Sequence, residues 1–372
     1  MGMKWTTRGL LLGGCLLIVV WALGCGDTGP QGPPGKDGKD AATTCFNCHS
    51  DNPADSLLLT AKIAEWRLSL HGSGDTWEEK STPCNGCHTH EGFLDRVAAG
   101  MPPIASFPLA MSTASRINCW TCHRPHTSGD FTLRTQSQVT LFAAGGGTVN
   151  IGEGNLCAAC HQARPANPPL PTAVDTLRVK STRWGPHEAT QANMLTGQSG
   201  FFSTANPATS SYHTTLLTSS LSNGCVVCHM KTGPTGNGQF AGGHTWKMAY
   251  ETSSGETEYK ASCYTSGCHT TTGLTSFDYK GVQTEISGLL QQVKVRLFNA
   301  GIVGADSVHI SVPNTTTGKV YTTAQLKAVW NLRLVLVDRS LGIHNTAYAR
   351  NMLKSCLDFV PAVAKPAEVA QK

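Results

Sequence analysis

The chain has 372 residues, with 15 cysteines, 14 histidines and 39 glycines, and only 14% of its residues are charged. Hydrophobic residues make up 40% and aromatics 7%, too little for an apolar core along the whole length, so something other than side chains fills part of the interior. The composition excludes a multi-span membrane protein, a disordered acidic chain and a collagen-like fibre. A formal charge of +5, evenly spread, does not point to nucleic acid.

Lys4 and Arg8 precede an apolar stretch from Gly9 to Gly24. That length is short for a spanning helix and right for a signal peptide, assigned to residues 1–24. It ends Ala22-Leu23-Gly24-Cys25, which resembles the lipobox of bacterial lipoproteins and makes Cys25 the lipid-anchored first residue of the mature chain. The alternative is a plain secretory signal cut near Gly26 or Thr28. Either route places the mature chain outside the inner membrane. Cys15 lies within the signal. Five Gly-X-Y triplets begin at Gly26, Gly29, Gly32, Gly35 and Gly38. They are too few for a triple helix, so residues 25–42 are read as the anchor cysteine and a polyproline-like spacer of about 45 Å.

The cysteine spacing then identifies a cofactor. Five Cys-X-X-Cys-His motifs occur: Cys45/Cys48/His49, Cys84/Cys87/His88, Cys119/Cys122/His123, Cys157/Cys160/His161 and Cys225/Cys228/His229. A sixth, Cys263/Cys268/His269, has four residues between its cysteines. This is the signature of c-type haem attachment, in which two thiols add to the porphyrin vinyl groups and the following histidine becomes the proximal iron ligand. A zinc site needs tetrahedral closure by paired knuckles, and nothing in that chemistry requires a histidine after every second cysteine. Six covalent c-type haems are therefore expected. Cys356 falls on the stripe Ala349, Met352, Leu353, Cys356, Leu357, Val360 and is read as a buried helix-face residue.

The other histidines decide between electron transfer and catalysis at iron. A haem with two axial histidines has no open position; a haem lacking one can bind substrate. Outside the motifs stand His71, His90, His126, His187, His213, His244, His309 and His344, enough to close every iron. The favoured distal set is His71, His126, His187, His213, His244 and His344, with His90 in reserve and exchangeable with His213. His71, His187 and His244 are flanked by glycine, which allows close approach to a porphyrin. His309 alternates onto the polar face of a strand-like Val308–Val312 and is left in solvent.

The proximal histidines are spaced 39, 35, 38, 68 and 40 residues apart, and the long interval holds His187 and His213, expected to serve haems elsewhere in the chain. Residues 25–372 provide 58 residues per haem, so the porphyrins themselves act as core. After Thr272 the pattern changes. Val282, Ile286, Leu289, Leu290, Val293 and Leu297 have helical spacing, Thr322-Thr-Ala-Gln325 reads as a capping box opening a helix over 326–338, and a third helix is expected over about 346–360. The expected fold is a multihaem cytochrome c, mostly loops and short α-helices wrapped around six haems over residues 43–272. Residues 273–372 form a C-terminal helical bundle that supplies a distal ligand. Without Lys4 and Arg8, twelve propionates take the charge from +3 to −9 with ferrous irons, or −3 when all six are ferric.

Several stretches resemble the multihaem cytochromes exported by dissimilatory metal-reducing bacteria. They are Cys119-Trp-Thr-Cys-His-Arg-Pro-His126, Arg183-Trp-Gly-Pro-His187, Gly224-Cys-Val-Val-Cys-His-Met230, Gly242-Gly-His-Thr-Trp246 and Asp338-Arg-Ser-Leu-Gly-Ile-His-Asn345. The resemblance implies an outer-membrane lipoprotein, facing the periplasm or the cell surface. Such a protein is an electron carrier and not an enzyme. It passes electrons through six bis-histidine haems to other redox proteins or to soluble or insoluble metal acceptors such as ferric minerals. Some hexahaem relatives form filaments, so a homo-oligomer or conduit subunit is a further expectation. The C-terminal helices with His344 are also similar to the pentahaem nitrite reductases, which would make the chain a reductase of a nitrogen or sulfur oxyanion. Those enzymes carry a lysine in place of one proximal histidine, and here all six positions are histidine.

Overall fold

The computed structural model describes residues 53–81, 84–101, 114–125, 131–170, 176–219, 223–231, 240–264 and 268–362. The signal stretch, Cys25, the spacer, the first motif (Cys45, Cys48, His49) and His126 lie outside the described residues.

Short helices and long connections dominate the chain. Helix α1 (Pro53–Leu68) leads through the turn α2 (Leu70–Ser73) to α3 (Asn85–His88) and α4 (His90–Ala98). Next come α5 (Cys119–Cys122), the two-residue strands β1 (Val139–Thr140) and β2 (Thr148–Val149), and α6 (Gly154–Ala158). Strand β3 (Thr176–Val179), α7 (Gln191–Thr196), α8 (Tyr212–Ser219) and α9 (Gly224–His229) follow. The hairpin β4 (Ala249–Thr252)/β5 (Gly255–Glu258) precedes the long helices α10 (Val282–Asn299), α11 (Thr323–Asp338) and α12 (Thr346–Phe359), with β6 (Lys319–Thr322) before α11. Among the described residues no helix is long and apolar enough to cross a membrane.

Helix α11 is the centre of the larger apolar core. Its start is fixed by a capping box in which Thr322 accepts from the Gln325 N–H and Gln325 accepts from the Thr322 N–H. Leu326, Val329, Trp330, Leu332, Leu334 and Val335 are all buried, so most of the helix surface is packed, with Asn331 and Arg333 buried among them. Helix α10 covers it with Ile286, Leu290, Val293 and Leu297 at helical spacing, and α12 with Tyr348, Ala349, Met352, Leu353 and Cys356. The Cys356 thiol contacts the Ala328 carbonyl at 3.4 Å and is fully buried, as its place on the stripe implied.

This core crosses the 272/273 junction. Trp184, Met194 and Val179 belong to it, and β3 pairs antiparallel with β6 over Thr176↔Thr322 to Val179↔Lys319. Polar groups of α11 also hold the segment 183–201 in place. Arg333 Nη1 donates to the carbonyls of Arg183 (3.0 Å) and Trp184 (2.9 Å), Trp330 Nε1 to Ser199 (2.7 Å), and Asn331 to Phe201 (2.6 Å). A second, smaller cluster contains Phe93, Val139, Leu141, Val149, Ile151, Leu156, Ala192 and Leu195.

One expectation about secondary structure needs correction. Val308–Val312 is not a strand; only an isolated bridge joins Ile310 to Val303. The apolar positions of that segment face the core, with Ile310 and Val312 buried, but the nearby chain offers a single bridging residue instead of a ladder.

Trp330→Ala should cost about 3–5 kcal/mol, the usual range for deleting a buried indole. It should appear as a lower guanidinium midpoint for loss of the helical signal. An unaltered midpoint would mean that α11 is not the centre of the core.

Candidate functional site

The Cys-X-X-Cys-His motifs at 84–88, 119–123, 157–161 and 225–229 each form a single helical turn. The N–H of His88 bonds to the Cys84 carbonyl (3.2 Å), that of His123 to Cys119 (2.9 Å) and that of His161 to Cys157 (2.8 Å). One turn places the two thiols of a pair on one side and sends the histidine out at its end. In the third motif Asn118 caps the turn, with Thr121 completing a capping box.

In the sixth motif residues 265–267 lie outside the described residues. The sequence pairs Cys268 with Cys263 as attachment thiols across a wider spacing than in the other five motifs. In the structure Cys268 is exposed at the surface and Cys263 is half-buried. Cys268 still lies close enough to Cys263 and to Cys228 to raise both of their thiols, after burial, which is the larger cause. The exposed thiol therefore stays beside its partner.

Five of the motif histidines each face one histidine from elsewhere in the chain. Ring centroids are 6.0 Å apart for His88 and His187, 6.3 Å for His123 and His244, and 6.0 Å for His161 and His71. They are 6.2 Å apart for His229 and His344, and 6.4 Å for His269 and His213. This separation has a simple meaning. An imidazole nitrogen binds a first-row metal at about 2 Å, and that nitrogen lies roughly 1.1 Å from its ring centre. Two imidazoles on opposite sides of one iron then have centroids about 6.2 Å apart. The donor set and its spacing fit a haem iron at all five places.

The second ring nitrogen of most of these histidines is occupied by protein. Nδ1 of His88 donates to the Thr76 carbonyl (3.1 Å), His123 to Phe131 (2.6 Å), His229 to Trp246 (2.9 Å) and His213 to Ile343 (2.7 Å). His161 uses the Gln191 side chain at 3.2 Å, and His344 uses the buried Asp338 carboxylate at 2.6 Å. His187 Nδ1 lies 3.2 Å from Glu188, and His244 Nδ1 lies 3.6 Å from Glu65. Where Nδ1 is hydrogen-bonded, Nε2 is the nitrogen left to ligate, and the ring orientation is set before any metal arrives.

Ligation requires neutral imidazole, and burial favours that form here. It pulls His71 down to about 4, with neighbouring His161 adding to the effect. Burial and then the Arg164 charge take His187 to about 4, and burial and then His344 take His229 to about 4. His344 goes the other way: burial opposes its charged form, but the Asp338 carboxylate outweighs that and raises it.

The attachment turns also adjoin one another. The thiols of Cys87 and Cys160 lie close enough to shift each other's ionisation, as do those of Cys157 and Cys225. Buried Arg96 bridges the first of these places, reaching Cys87 Sγ (3.4 Å) and the Ala159 carbonyl (2.9 Å). Glycine permits the second. At Gly224 (φ +42°) a Cβ would meet Ile151 Cβ at 2.9 Å, and at Gly154 it would lie 3.0 Å from the Cys225 nitrogen. Cys122, Cys160 and Cys225 pack against the smaller apolar cluster. The second, fourth and fifth motifs are thus neighbours in space, an order different from that in the chain. Among the described residues no group of three or more His, Cys, Asp or Glu side chains converges as a zinc site would require.

Two histidines stand apart from the pairs. His90 holds Thr121 Oγ1 through Nδ1 (2.9 Å), beside the third motif, and faces no described histidine. His309 is exposed and bonds Asp306 at 2.5 Å. Sequence reasoning did not single out Thr76, Glu65, Gln191 or Trp246 as partners of the histidines. No local signal marks them, because Glu65 and His244 lie 179 residues apart. Asp338 stood in a stretch noted for resemblance, six residues before His344.

No protein-family model matches the chain, and no curated protein matches it. Among solved structures it is similar to outer cell wall cytochrome OcwA, at 20% identity and TM-score 0.47, covering 80% of this chain and 50% of that one. It is also similar to an undecahaem cytochrome from the S-layer of Carboxydothermus ferrireducens, at 18% identity and TM-score 0.42, covering 82% of this chain and 41% of that one. The chain spans half of the first structure and less of the second. One is a cytochrome of an outer cell wall and the other of an S-layer.

Methionine keeps an axial donor but raises a haem's potential relative to bis-histidine ligation. His187→Met should therefore raise the potential of one haem and leave the others and the haem load unchanged, while His309→Met should alter none. Redox titration of both variants checks this; no shift in His187→Met would remove the His88–His187 pair from the ligand set.

Proposed function

We propose that this chain is a hexahaem c-type electron carrier whose irons are closed on both sides by histidine. The observation that carries the reading is the set of five opposed imidazole pairs, each joining a motif histidine to one from a distant segment at 6.0–6.4 Å. His49, His88, His123, His161, His229 and His269 are the proximal ligands. His187, His244, His71, His344 and His213 are the distal ligands of the second to sixth haems, and His126 is the distal ligand of the first, with His90 in reserve. When bound, haem supplies a one-electron ferrous/ferric couple. The chain orients the axial rings, holds the tautomers of those whose Nδ1 it engages, and keeps neighbouring attachment turns together so that cofactors lie close together. A closed iron changes little on reduction and offers no place for substrate, which suits transfer and not catalysis.

The carrier acts outside the inner membrane, anchored by a lipid on Cys25 and a stiff spacer. Its electrons pass to other redox proteins or to extracellular metal acceptors such as ferric minerals. The surface location is supported by the export signal and by the kind of cytochrome that the chain resembles.

Intact mass after acid-acetone extraction should exceed the polypeptide by six haems, and five would mean that the Cys263/Cys268 spacing, with its exposed second thiol, is not used. The loaded protein should pass electrons rapidly to ferric iron. It should not turn over nitrite, hydroxylamine or sulfite with reduced viologen; turnover at about 1–10³ per second would make it a reductase.

For the anchor, cells fed labelled fatty acid should label the wild type and not Cys25→Ala, which should leave the membrane fraction. An unlabelled wild type replaces the anchor by simple secretion.

A further inference from the structure

One residue touches three of the histidine pairs. The Trp246 indole lies edge-on to His71, with ring centroids 4.7 Å apart and planes at 82°, and to His244, at 5.7 Å and 68°. Its carbonyl accepts the Nδ1–H of His229 at 2.9 Å. His71 faces His161, His244 faces His123, and His229 faces His344, so three separate sites meet at Trp246.

The backbone holds Trp246 there at a cost. It lies in the left-handed region at φ 53°, ψ 6°, closing the 3-10 turn Gly243–Thr245, a conformation unfavourable for a bulky side chain. The turn is tied down on several sides. Gly242 N–H bonds the Lys247 carbonyl at 2.9 Å, Thr245 Oγ1 bonds the Gly242 carbonyl at 2.7 Å, and the His244 N–H bonds Glu65 at 2.9 Å. Gly242 and Gly243 leave no room for substitution: a Cβ would lie 2.2 Å from the Lys231 carbonyl oxygen at the first and 2.5 Å from Glu65 Oε2 at the second. A plain turn does not need an indole at its strained end. Contact with two imidazoles gives it a reason to be there.

We propose that Trp246 is a positioning residue shared by the third, fourth and fifth haem sites: its indole sets the ring planes of His244 and His71, and its carbonyl fixes the tautomer of His229. This rests on the reading of the histidine pairs as axial ligands. Ring orientation and outer hydrogen bonds tune a ligated metal, so the three sites respond together to any displacement of this turn. The pairs His88–His187 and His213–His269 do not touch it.

The two functions of Trp246 can be separated by substitution. Asparagine tolerates the left-handed region, so Trp246→Asn removes the indole and keeps the carbonyl in place. Valine does not tolerate it, so Trp246→Val also displaces the carbonyl. The readout is the set of haem-methyl resonances in the paramagnetic proton NMR spectrum of the oxidised protein, with sites assigned through His71→Met, His244→Met and His229→Met. At wild-type haem load, Trp246→Asn should shift the resonances of the third and fourth sites and leave the rest unmoved. Trp246→Val should shift the fifth as well, and Trp246→Phe, which keeps an aromatic edge, should return the third and fourth towards wild type.

Unmoved resonances in Trp246→Asn, or equal shifts at every site, would overturn the proposal. If Trp246→Asn fails to load haem, Trp246→Phe decides: small shifts confined to the third and fourth sites support the proposal, and none overturns it. The assignment variants keep the two readings apart. If His71→Met and His244→Met leave every resonance in place, the ligand pairs themselves are wrong. If they shift one site each while Trp246→Asn shifts none, only the role of Trp246 falls.

Discussion

The opposed imidazole pair is the constraint on which the rest of the structure depends. Each pair joins an attachment motif to a segment far away in sequence: His88 to His187, His229 to His344, His269 to His213. Closing such long loops costs chain entropy that grows only slowly with length. In the proposed reading a ligand bond gained at each closure offsets that cost, and metal-binding free energy then contributes to folding directly. On that reading, a chain with few aromatics and short helices holds this shape through ties to cofactors as well as through packing.

The apolar core serves the same end. Helix α11 holds the segment that carries His187 through Arg333, Trp330 and Asn331. Asn345, which caps α12 by accepting from the Tyr348 N–H at 3.2 Å, also donates to the Thr209 carbonyl at 2.9 Å, just before the helix that carries His213. His344 is set by Asp338 at the end of α11. Three of the opposed histidines thus hang from one rigid helical support, where side-chain positions are set by packing and not by loop conformation. The remaining two, His71 and His244, meet at the turn of Trp246, and His244 leans on α1 through Glu65.

What could be read in the sequence follows the range of the interactions. The attachment motifs were legible because thioether chemistry and proximal ligation need contiguous residues. The exposure of Cys268 was not, since a motif gives the order of its residues and not their surroundings. The long helices were legible from their spacing: the capping box at Thr322 and Gln325 opens α11, and the stripe through Cys356 is buried. Val308–Val312 misled because alternation predicts a half-buried extended segment, and a ladder also needs a partner strand that the fold does not bring there. Partner choice among the histidines was not legible, since glycine and tryptophan neighbours suggest which rings approach a porphyrin but not which iron they share. The anchors of Nδ1 were further out of reach. Thr76, Phe131 and Ile343 act through backbone carbonyls, which carry no side-chain signature at all.

The central claim is that every iron is closed by two histidines. Its most direct measurement is the electron paramagnetic resonance spectrum of the fully oxidised, fully loaded protein, with spins counted against haem. The account predicts low-spin ferric signals that integrate to the whole haem content, with no high-spin component. A high-spin signal amounting to one haem or more in the intact protein would contradict it.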